Sequence, residues 1–495
     1  MVADTTSGLP GAIDPWRWLR AWDDAWRWGA LYCEVRAYEL ADPALRASIR
    51  RRRFREMVEH ARATSTFYRE HYGRVPHGAT EPVDYPPVTR GQLMARFDDW
   101  VTDRRLRLAE LQAFVADPLR IADPYLGAYA VWTSSGTSGV PGIYVQDAQA
   151  LAVYEALVTS RFDFGPPKAF PSMATQPPRC AFIAAIDGHF AGIVSWERQR
   201  RLYPALAAST RAFSILQPLR EIVAQLNAWQ PRYVSSYPTM LSLLAGERRA
   251  GRLRIRPHGL WCGGEGLAQV EREEIEHAFD CRIVEDYGAS ECMNMAFGCP
   301  EGRLHVNDDW VLLEPVDESY RPAPAGRASA TVLVTNLANR VQPLIRYDLG
   351  DSVCIDPTEC ACGCDRPSLR VEGRGDDVIV LERAPATRER RTVGDGRGGA
   401  VRILPLAVET VLEEAGVVRF QLTQVSRGRL RLRIDAGGAD AGAAFRRARR
   451  ALSSFLARQG AVPPRIDHDP LPPECSPVSG KLRRVRVLPR ARHDT

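Results

Sequence analysis

No stretch of the 495-residue chain approaches the roughly 18 uninterrupted apolar residues of a membrane helix, so a helical membrane span is excluded. The N-terminus, MVADTTSGLPGAIDPWRWLR, lacks the basic start and apolar run of a secretory signal, and export is not expected. Neither sign of charge dominates: 66 basic and 60 acidic residues leave a formal +6, too small an excess to make nucleic acid the expected partner. No internal repeat is visible. Eleven cysteines in a chain without an export signal predict thiols or a metal site rather than a disulfide framework. The expected location is the cytoplasm. What is present, 45% hydrophobic and 25% charged residues, is the balance of a globular protein, and the length calls for two domains.

Residues 14–73 read as helices. Trp18, Trp22 and Trp26 recur every four positions with Leu19 on the same side, a face expected to pack into the core. From about 129 to 350, strand-like runs (128–132, 180–186, 233–235, 259–262, 282–285) alternate with helical patterns such as 219–229 and 270–279. Such alternation predicts an α/β architecture. Beyond Gly373–Gly375 and an Arg/Gly/Thr-rich stretch at 383–399 come a helix at 406–414, strands at 420–425 and 430–434, and a helix at 443–458. These predict a small α+β unit. The expected division is a large N-terminal α/β domain, 1–374, and a C-terminal domain, 375–495.

The sharpest local signal is Thr133-Ser134-Ser135-Gly136-Thr137-Ser138-Gly139-Val140-Pro141, directly after a strand. Small hydroxyl residues and glycines let backbone N–H and side-chain O–H groups converge on an anion, and glycine lacks the Cβ that blocks close approach to phosphate. No Gly-Lys-Ser/Thr ending follows, so this is not the nucleotide loop of P-loop proteins. Further along lie Gly263-Gly264-Glu265, Asp286-Tyr287-Gly288-Ala289-Ser290-Glu291, Arg346-Tyr347-Asp348-Leu349-Gly350-Asp351, Gly373-Arg374-Gly375-Asp376-Asp377 and Ser479-Gly480-Lys481.

Taken in order, these six segments resemble the motifs of the adenylate-forming superfamily, in the branch that holds phenylacetate–coenzyme A ligase and coenzyme F390 synthetase-like proteins. The resemblance runs from 134 to 481, nearly the whole chain. It implies a small C-terminal domain that acts as a mobile lid hinged at Gly373–Asp377. The implied activity is ATP-dependent conversion of a carboxylic acid, with aryl and arylacetic acids as the candidates, to an acyl-adenylate, then transfer to a thiol, foremost that of coenzyme A. An amine, a hydroxyl or a carrier-protein thiol as acceptor, transfer of AMP itself, or a non-catalytic nucleotide-binding protein are the alternatives. No carrier segment with a phosphopantetheine serine is visible, so a carrier would act in trans.

The resemblance also implies roles. Ser134, Ser135, Gly136, Thr137, Ser138 and Gly139 would hold the phosphates, and Gly264 and Glu265 would line the adenine site. Asp286, Tyr287, Gly288 and Ser290 would complete the nucleotide pocket, Tyr287 offering its flat face to adenine. Asp351 would accept from the ribose hydroxyls, and Arg374 would stand at the hinge. Glu291 matches a Mg²⁺ ligand, a hard oxygen beside phosphates. Lys481 matches the catalytic lysine, a point charge able to bridge carboxylate and α-phosphate, although the run 481–486 also reads as a solvated basic tail. One departure stands out: Val140 occupies the position where the family's loop carries lysine. Cys299, His305, Cys360 and Cys362, with Cys364 as a substitute, follow a spacing seen in the same branch and suit a structural Zn²⁺. His189, Phe190 and Tyr237 are candidates for the acyl pocket. Arg429, Arg431 and Arg433 share one strand face, more in keeping with a solvated surface than with a coenzyme A phosphate site.

Overall fold

A computed structural model describes residues 15–76, 78–134, 142–162, 178–371, 378–384, 400–403, 405–417, 419–435, 441–474 and 484–488, with side chains described from residue 26 on and not at Ala205 and Leu406. The phosphate-loop residues Ser135–Pro141, the hinge residues 372–377 with Arg374, and Lys481 lie outside the described residues.

The N-terminal region is helical, as expected, in three pieces: Pro15–Leu40, Pro43–Thr64 and Thr66–His71. Asp42 starts the second by accepting from the Leu45 amide at 2.9 Å, with proline in the first turn where its missing N–H costs nothing. The tryptophan face is not wholly interior: Trp26 is 76% exposed. The α/β order then follows. β1 (Ala130–Thr133) and β2 (Ile143–Gln146) form an antiparallel hairpin. β3 (Cys180–Ala184), β4 (Thr210–Ser214), β5 (Tyr233–Ser236), β6 (Gly259–Cys262) and β7 (Arg282–Tyr287) are parallel, in the order β7-β6-β5-β3-β4. Helices Leu219–Trp229, Pro238–Arg249 and Gln269–Phe279 connect these strands.

The chain between Ala296 and Val371 contributes a block of strands that the alternating pattern did not suggest. β8 (Ala296–Gly298) and β9 (Leu304–Val306) continue the sheet antiparallel beside β7. β10 (Val311–Val316), β11 (Thr331–Asn336) and β12 (Leu344–Asp348) form a separate antiparallel sheet. β13 (Val353–Ile355) and β14 (Ser368–Val371) close the far edge of the first, which has nine strands. Several of these strands are three residues long, and β11 is buried at every position. Neither kind shows the two-residue alternation that marks a strand in sequence.

In the C-terminal unit β15 (Ile379–Glu382) pairs with β16 (Ala400–Ile403). β17 (Phe420–Ser426), β18 (Arg429–Ile434), β19 (Arg465–Asp469) and β20 (Val485–Val487) form a mixed sheet in the order β19-β18-β17-β20. Helices Pro405–Glu414 and Ala441–Arg458 accompany it. The unit rests on the parallel-sheet layer: Ile403, Ala407 and Phe455 share a crevice with Leu219, Met240 and Leu243. Gln459 Nε2 donates to the Leu216 carbonyl at 2.6 Å. Two of the three strand-face arginines are neutralised from the neighbouring strand, Arg429 by Asp467 at 2.6 Å and Arg433 by Asp469 at 2.8 Å.

Candidate functional site

In parallel strands all carboxyl ends lie on one side, and the segments that follow them meet there. Four segments singled out in the sequence gather at that edge. Ser134 directly follows β1 and is buried; its amide donates to the Gly142 carbonyl, and its Oγ accepts from the Gly142 amide, both at 3.0 Å. The Ser134 hydroxyl therefore closes the base of the loop 135–141. Gly142 has no alternative there, because a Cβ would lie 2.5 Å from the Tyr144 hydroxyl.

The segment after β7 docks on this hairpin. Trp132, fully buried, donates its indole N–H to the Ser290 carbonyl at 2.7 Å. Glu291, also buried, receives three donors on one carboxylate oxygen, Oε1: Tyr144 at 2.8 Å, Tyr347 at 3.0 Å and the Arg90 guanidinium at 2.6 Å. The segment after β12 joins through Tyr347, and through Asp351, which accepts from the Tyr287 hydroxyl at 2.9 Å. Arg346 faces away from this cluster, clasping Glu314 at 3.1 Å and the Tyr85 carbonyl at 2.6 Å.

The segment after β6 closes the row. A Cβ on Gly263 would collide with the Asp286 carboxylate, so glycine is required for that contact. Asp286 accepts from Trp261 at 3.0 Å and Asn294 at 3.1 Å, and burial pushes its carboxyl up to about 6. Gly264, at φ +80°, faces the Tyr237 ring. Glu265 accepts from the amide and hydroxyl of Thr239 at 3.1 and 2.7 Å, anchoring the start of helix Pro238–Arg249. Gly288 sits under the chain at Met293–Asn294, where a Cβ would lie 3.0 Å from an amide nitrogen.

Of the pocket candidates, Tyr237 joins this edge and its hydroxyl accepts from the Ala185 amide at 3.3 Å. Phe190 packs beside the same apolar cluster. His189 does not join it: the ring is 2% exposed, edge-on to Phe114, with Nε2 3.0 Å from the Asp117 carbonyl oxygen. Its backbone carbonyl accepts from the Thr133 amide of β1 at 2.7 Å. Arg90 is the site residue that motif reading missed. It lies in the N-terminal third and belongs to none of the six segments. A separate cavity of about 400 Å³, lined by Arg53, Glu56, Trp310 and Arg340 among others, contains none of the motif residues.

Cys299, His305, Cys360 and Cys362 come together with their ligand atoms all within 4.8 Å. Cys299 and Cys360 sulfurs are 3.7 Å apart, and Cys362 Sγ is 3.3 Å from His305 Nε2. His305 Nδ1 lies 3.1 Å from the Arg366 carbonyl, the partner that leaves Nε2 as the ligand nitrogen. The Cys364 amide donates to Cys362 Sγ at 3.4 Å. Burial raises the Cys299 thiol, but hydrogen bonds from His305 and from the Arg303 and Glu301 amides together outweigh it and lower the group. Three thiols and one imidazole, converging and mostly buried, fit a tetrahedral zinc.

No family model matches the chain. Two solved structures of 2-hydroxyisobutyryl-CoA ligase share its fold. One, with 2-HIB-AMP and CoA in the thioesterification state, is 20% identical with a TM-score of 0.53 over 91% of both chains. The other, with R3-HIB-AMP in the postadenylation state, is 19% identical with a TM-score of 0.51 over 92% of both. Protein CapK of Staphylococcus aureus is 24% identical over 169 residues, 32% of this chain and 35% of CapK, so the matched region spans about a third of that relative. The chain thus shares the fold of that ligase, a large N-terminal α/β part followed by a smaller C-terminal one.

Proposed function

We propose that this protein activates a carboxylic acid with ATP as an acyl-adenylate and passes the acyl group to the thiol of coenzyme A. The observation that carries this reading is the convergence just described. Segments around 134, 264, 287 and 350, far apart in sequence, meet at the carboxyl edge of the parallel strands through Trp132–Ser290, Tyr144–Glu291–Tyr347 and Tyr287–Asp351. The 2-hydroxyisobutyryl-CoA ligase of the same fold, with an acyl-AMP and CoA bound, supports the choice of reaction and acceptor.

In the first step a carboxylate oxygen of the acid attacks the α-phosphorus. The acyl–phosphate bond forms, the bond to the β-phosphate oxygen breaks, and pyrophosphate leaves. In the second step the coenzyme A sulfur attacks the acyl carbon. The thioester bond forms, the carbon–oxygen bond to AMP breaks, and the thiol proton goes to solvent or a base. Both substrates of the first step are anions, so the site must present cations and donors where charge develops. We assign the phosphates to Ser134 and the loop 135–139, the ribose hydroxyls to Asp351, and adenine to Tyr287 beside Gly264. Lys481 is assigned the bridging charge between carboxylate and α-phosphate. Magnesium, when bound with the nucleotide, would neutralise phosphate charge, and Glu291 is its proposed ligand, shared with Arg90. The proposed domains divide near 374, with Arg374 in the hinge. Zinc would be held by Cys299, His305, Cys360 and Cys362 and would act structurally, closing the connection before the hinge.

The deciding experiment is pyrophosphate exchange across a panel of carboxylic acids, aryl and arylacetic acids included, with and without coenzyme A. Acid-dependent exchange, with thioester formed once coenzyme A is added, is the expected result. ATP binding without exchange for any acid would leave a nucleotide-binding protein instead.

A further inference from the structure

We propose that the cavity between the N-terminal helices and the β11–β12 turn is a second ligand site, which takes a small organic monoanion: a carboxylate on an apolar body. Its residues are apart from the carboxyl-edge site, and the proposal does not rest on the adenylation reading.

Two distant parts of the chain make the cavity. Helices Pro15–Leu40 and Pro43–Thr64 bring Glu34, Arg53 and Met57 to it, and the turn between β11 and β12 brings Leu337, Ala338 and Arg340. The space is about 400 Å³, within the range of small-molecule sites, roughly 300–1,000 Å³. Its inner wall is apolar. Met57, Trp310, Leu337 and Ala338 are all buried, and such a wall favours hydrocarbon over water.

The charges select the sign of the guest. Arg53 is 6% exposed; its guanidinium lies over the Trp310 ring, 3.6 Å from the centroid, and donates to Glu34 and to the Asp309 carbonyl, both at 2.5 Å. That face of the indole already holds a cation, so it is not offered to a cationic guest. Arg52 and Arg340 have half-exposed side chains and share one carboxylate, Glu56, at 3.8 and 3.7 Å. These distances are too long for hydrogen bonds, so both guanidinium groups keep N–H donors to turn toward an incoming oxyanion. Three arginines against Glu34 and Glu56 leave one positive charge in the lining. A carboxylate cancels it, whereas a phosphate monoester, about −1.5 to −2 at neutral pH, overshoots. One more donor lacks an acceptor: the Trp310 indole N–H is buried without a partner among the described residues. A buried donor ordinarily meets a protein group, an ordered water or a bound molecule.

The turn that walls the cavity is also tied to the β1–β2 hairpin. Asn339 donates to the Val145 carbonyl at 2.8 Å; Gln342 donates to the Ile143 carbonyl at 3.0 Å and accepts from the Val145 amide at 2.8 Å. A ligand held against Leu337 and Ala338 therefore steadies that junction and raises the melting temperature as it binds.

Benzoate and hexanoate are the probes, titrated calorimetrically into the full-length protein without nucleotide, with benzamide and hexanamide as their uncharged counterparts. At least one carboxylate should bind, and its amide should bind about tenfold more weakly or worse. Arg52→Gln combined with Arg340→Gln should weaken the carboxylate about tenfold or more and leave the melting curve of the free protein close to wild type. Glu56→Gln removes the competing carboxylate and should tighten binding about two- to fivefold, the range for one half-exposed charge. Its opposite sign keeps the test decisive if the double variant does not fold. A carboxylate that binds all of these proteins equally is bound elsewhere, and that result would overturn the proposal. So would amides that bind as tightly as the acids, or wild-type protein that takes up neither carboxylate.

Discussion

The Asp286 carboxyl, pressed against Gly263 and raised to about 6 by burial, gives the protein a pH-dependent stability with a definite sign. Below the ordinary carboxylate value both folded and unfolded states hold the proton. Between about pH 4 and 6 the unfolded chain ionises first, so stability falls as pH rises through this window. Above it the full cost remains, roughly 3 kcal/mol for a shift of about two units. Asp286→Asn should flatten this slope, and its melting temperature at pH 8 should equal or exceed that of wild type. Asn294, whose amide oxygen is buried without a partner among the described residues, can turn over to accept from the new amide. A variant with an unchanged slope between pH 4 and 6 would show that another group sets it. The neighbouring pair Tyr287–Asp351 makes a different prediction. Asp351→Ala should weaken ATP by about 1.5–3 kcal/mol, the worth of hydrogen bonds to a charged acceptor. Tyr287→Phe, which loses one hydroxyl contact at 2.9 Å, should cost less, and isothermal titration separates the two.

At the scale of elements the C-terminal tail is the informative case. The run 481–486 is strongly cationic, and a solvated tail is its bland alternative reading. The structure removes that reading for its second half. Arg484 is 1% exposed, its guanidinium bonded to Glu409 at 3.1 Å and Glu413 at 2.6 Å, and its carbonyl accepts from Leu422 at 2.7 Å. β20 is thereby stitched to both β17 and helix Pro405–Glu414. Three positions before this anchor stands Lys481, so the anchor limits where a catalytic lysine can reach. Arg484→Met strands two carboxylates and should destabilise the C-terminal unit by about 3–5 kcal/mol. Pyrophosphate exchange should fall with it while ATP binding persists. On the proposed role of Lys481, a charge acting in the transition state, Lys481→Ala should lower exchange by orders of magnitude without moving the melting temperature. If both variants keep wild-type exchange, the tail does not serve the site.

Across the whole molecule the cysteine–histidine cluster is a structural junction. The Arg366 carbonyl receives His305, and the Arg366 guanidinium binds Asp308 at 3.1 Å and Asp309 at 3.4 Å. Those aspartates in turn hold Arg50 at 2.5 Å, from helix Pro43–Thr64, and Arg161 at 2.6 Å. Metal at this cluster would therefore steady the attachment of the N-terminal helices as well as the approach to the hinge. Purified protein should contain about one zinc per chain by elemental analysis. Chelation, or Cys362→Ser, should lower metal content and melting temperature together, because a metal bound only by the folded state adds its binding free energy to stability. Metal-free protein with an unchanged melting curve would reduce the four side chains to ordinary buried groups.

The sequence by itself determined the local elements and the chemistry-bearing segments. Helix Leu219–Trp229 and strand Gly259–Cys262 fall where the pattern placed them, because amphipathic period and short apolar runs are properties of neighbours in the chain. The small C-terminal α+β unit was legible for the same reason. The strands between Ala296 and Val371 were not: three-residue strands and a strand buried on both faces are decided by distant partners, as in the β9–β14 pairing of His305 with Ser368. Contacts of that range also decided the site. The family resemblance pointed to Glu291, Asp351 and the four zinc candidates, but not to Arg90, which meets Glu291 across 201 positions. His189 was a pocket candidate because it follows a strand-like run; its ring is buried against Phe114. Sequence proximity carries periodicity and turn chemistry; which charge faces which is settled only when the strands close and exclude water.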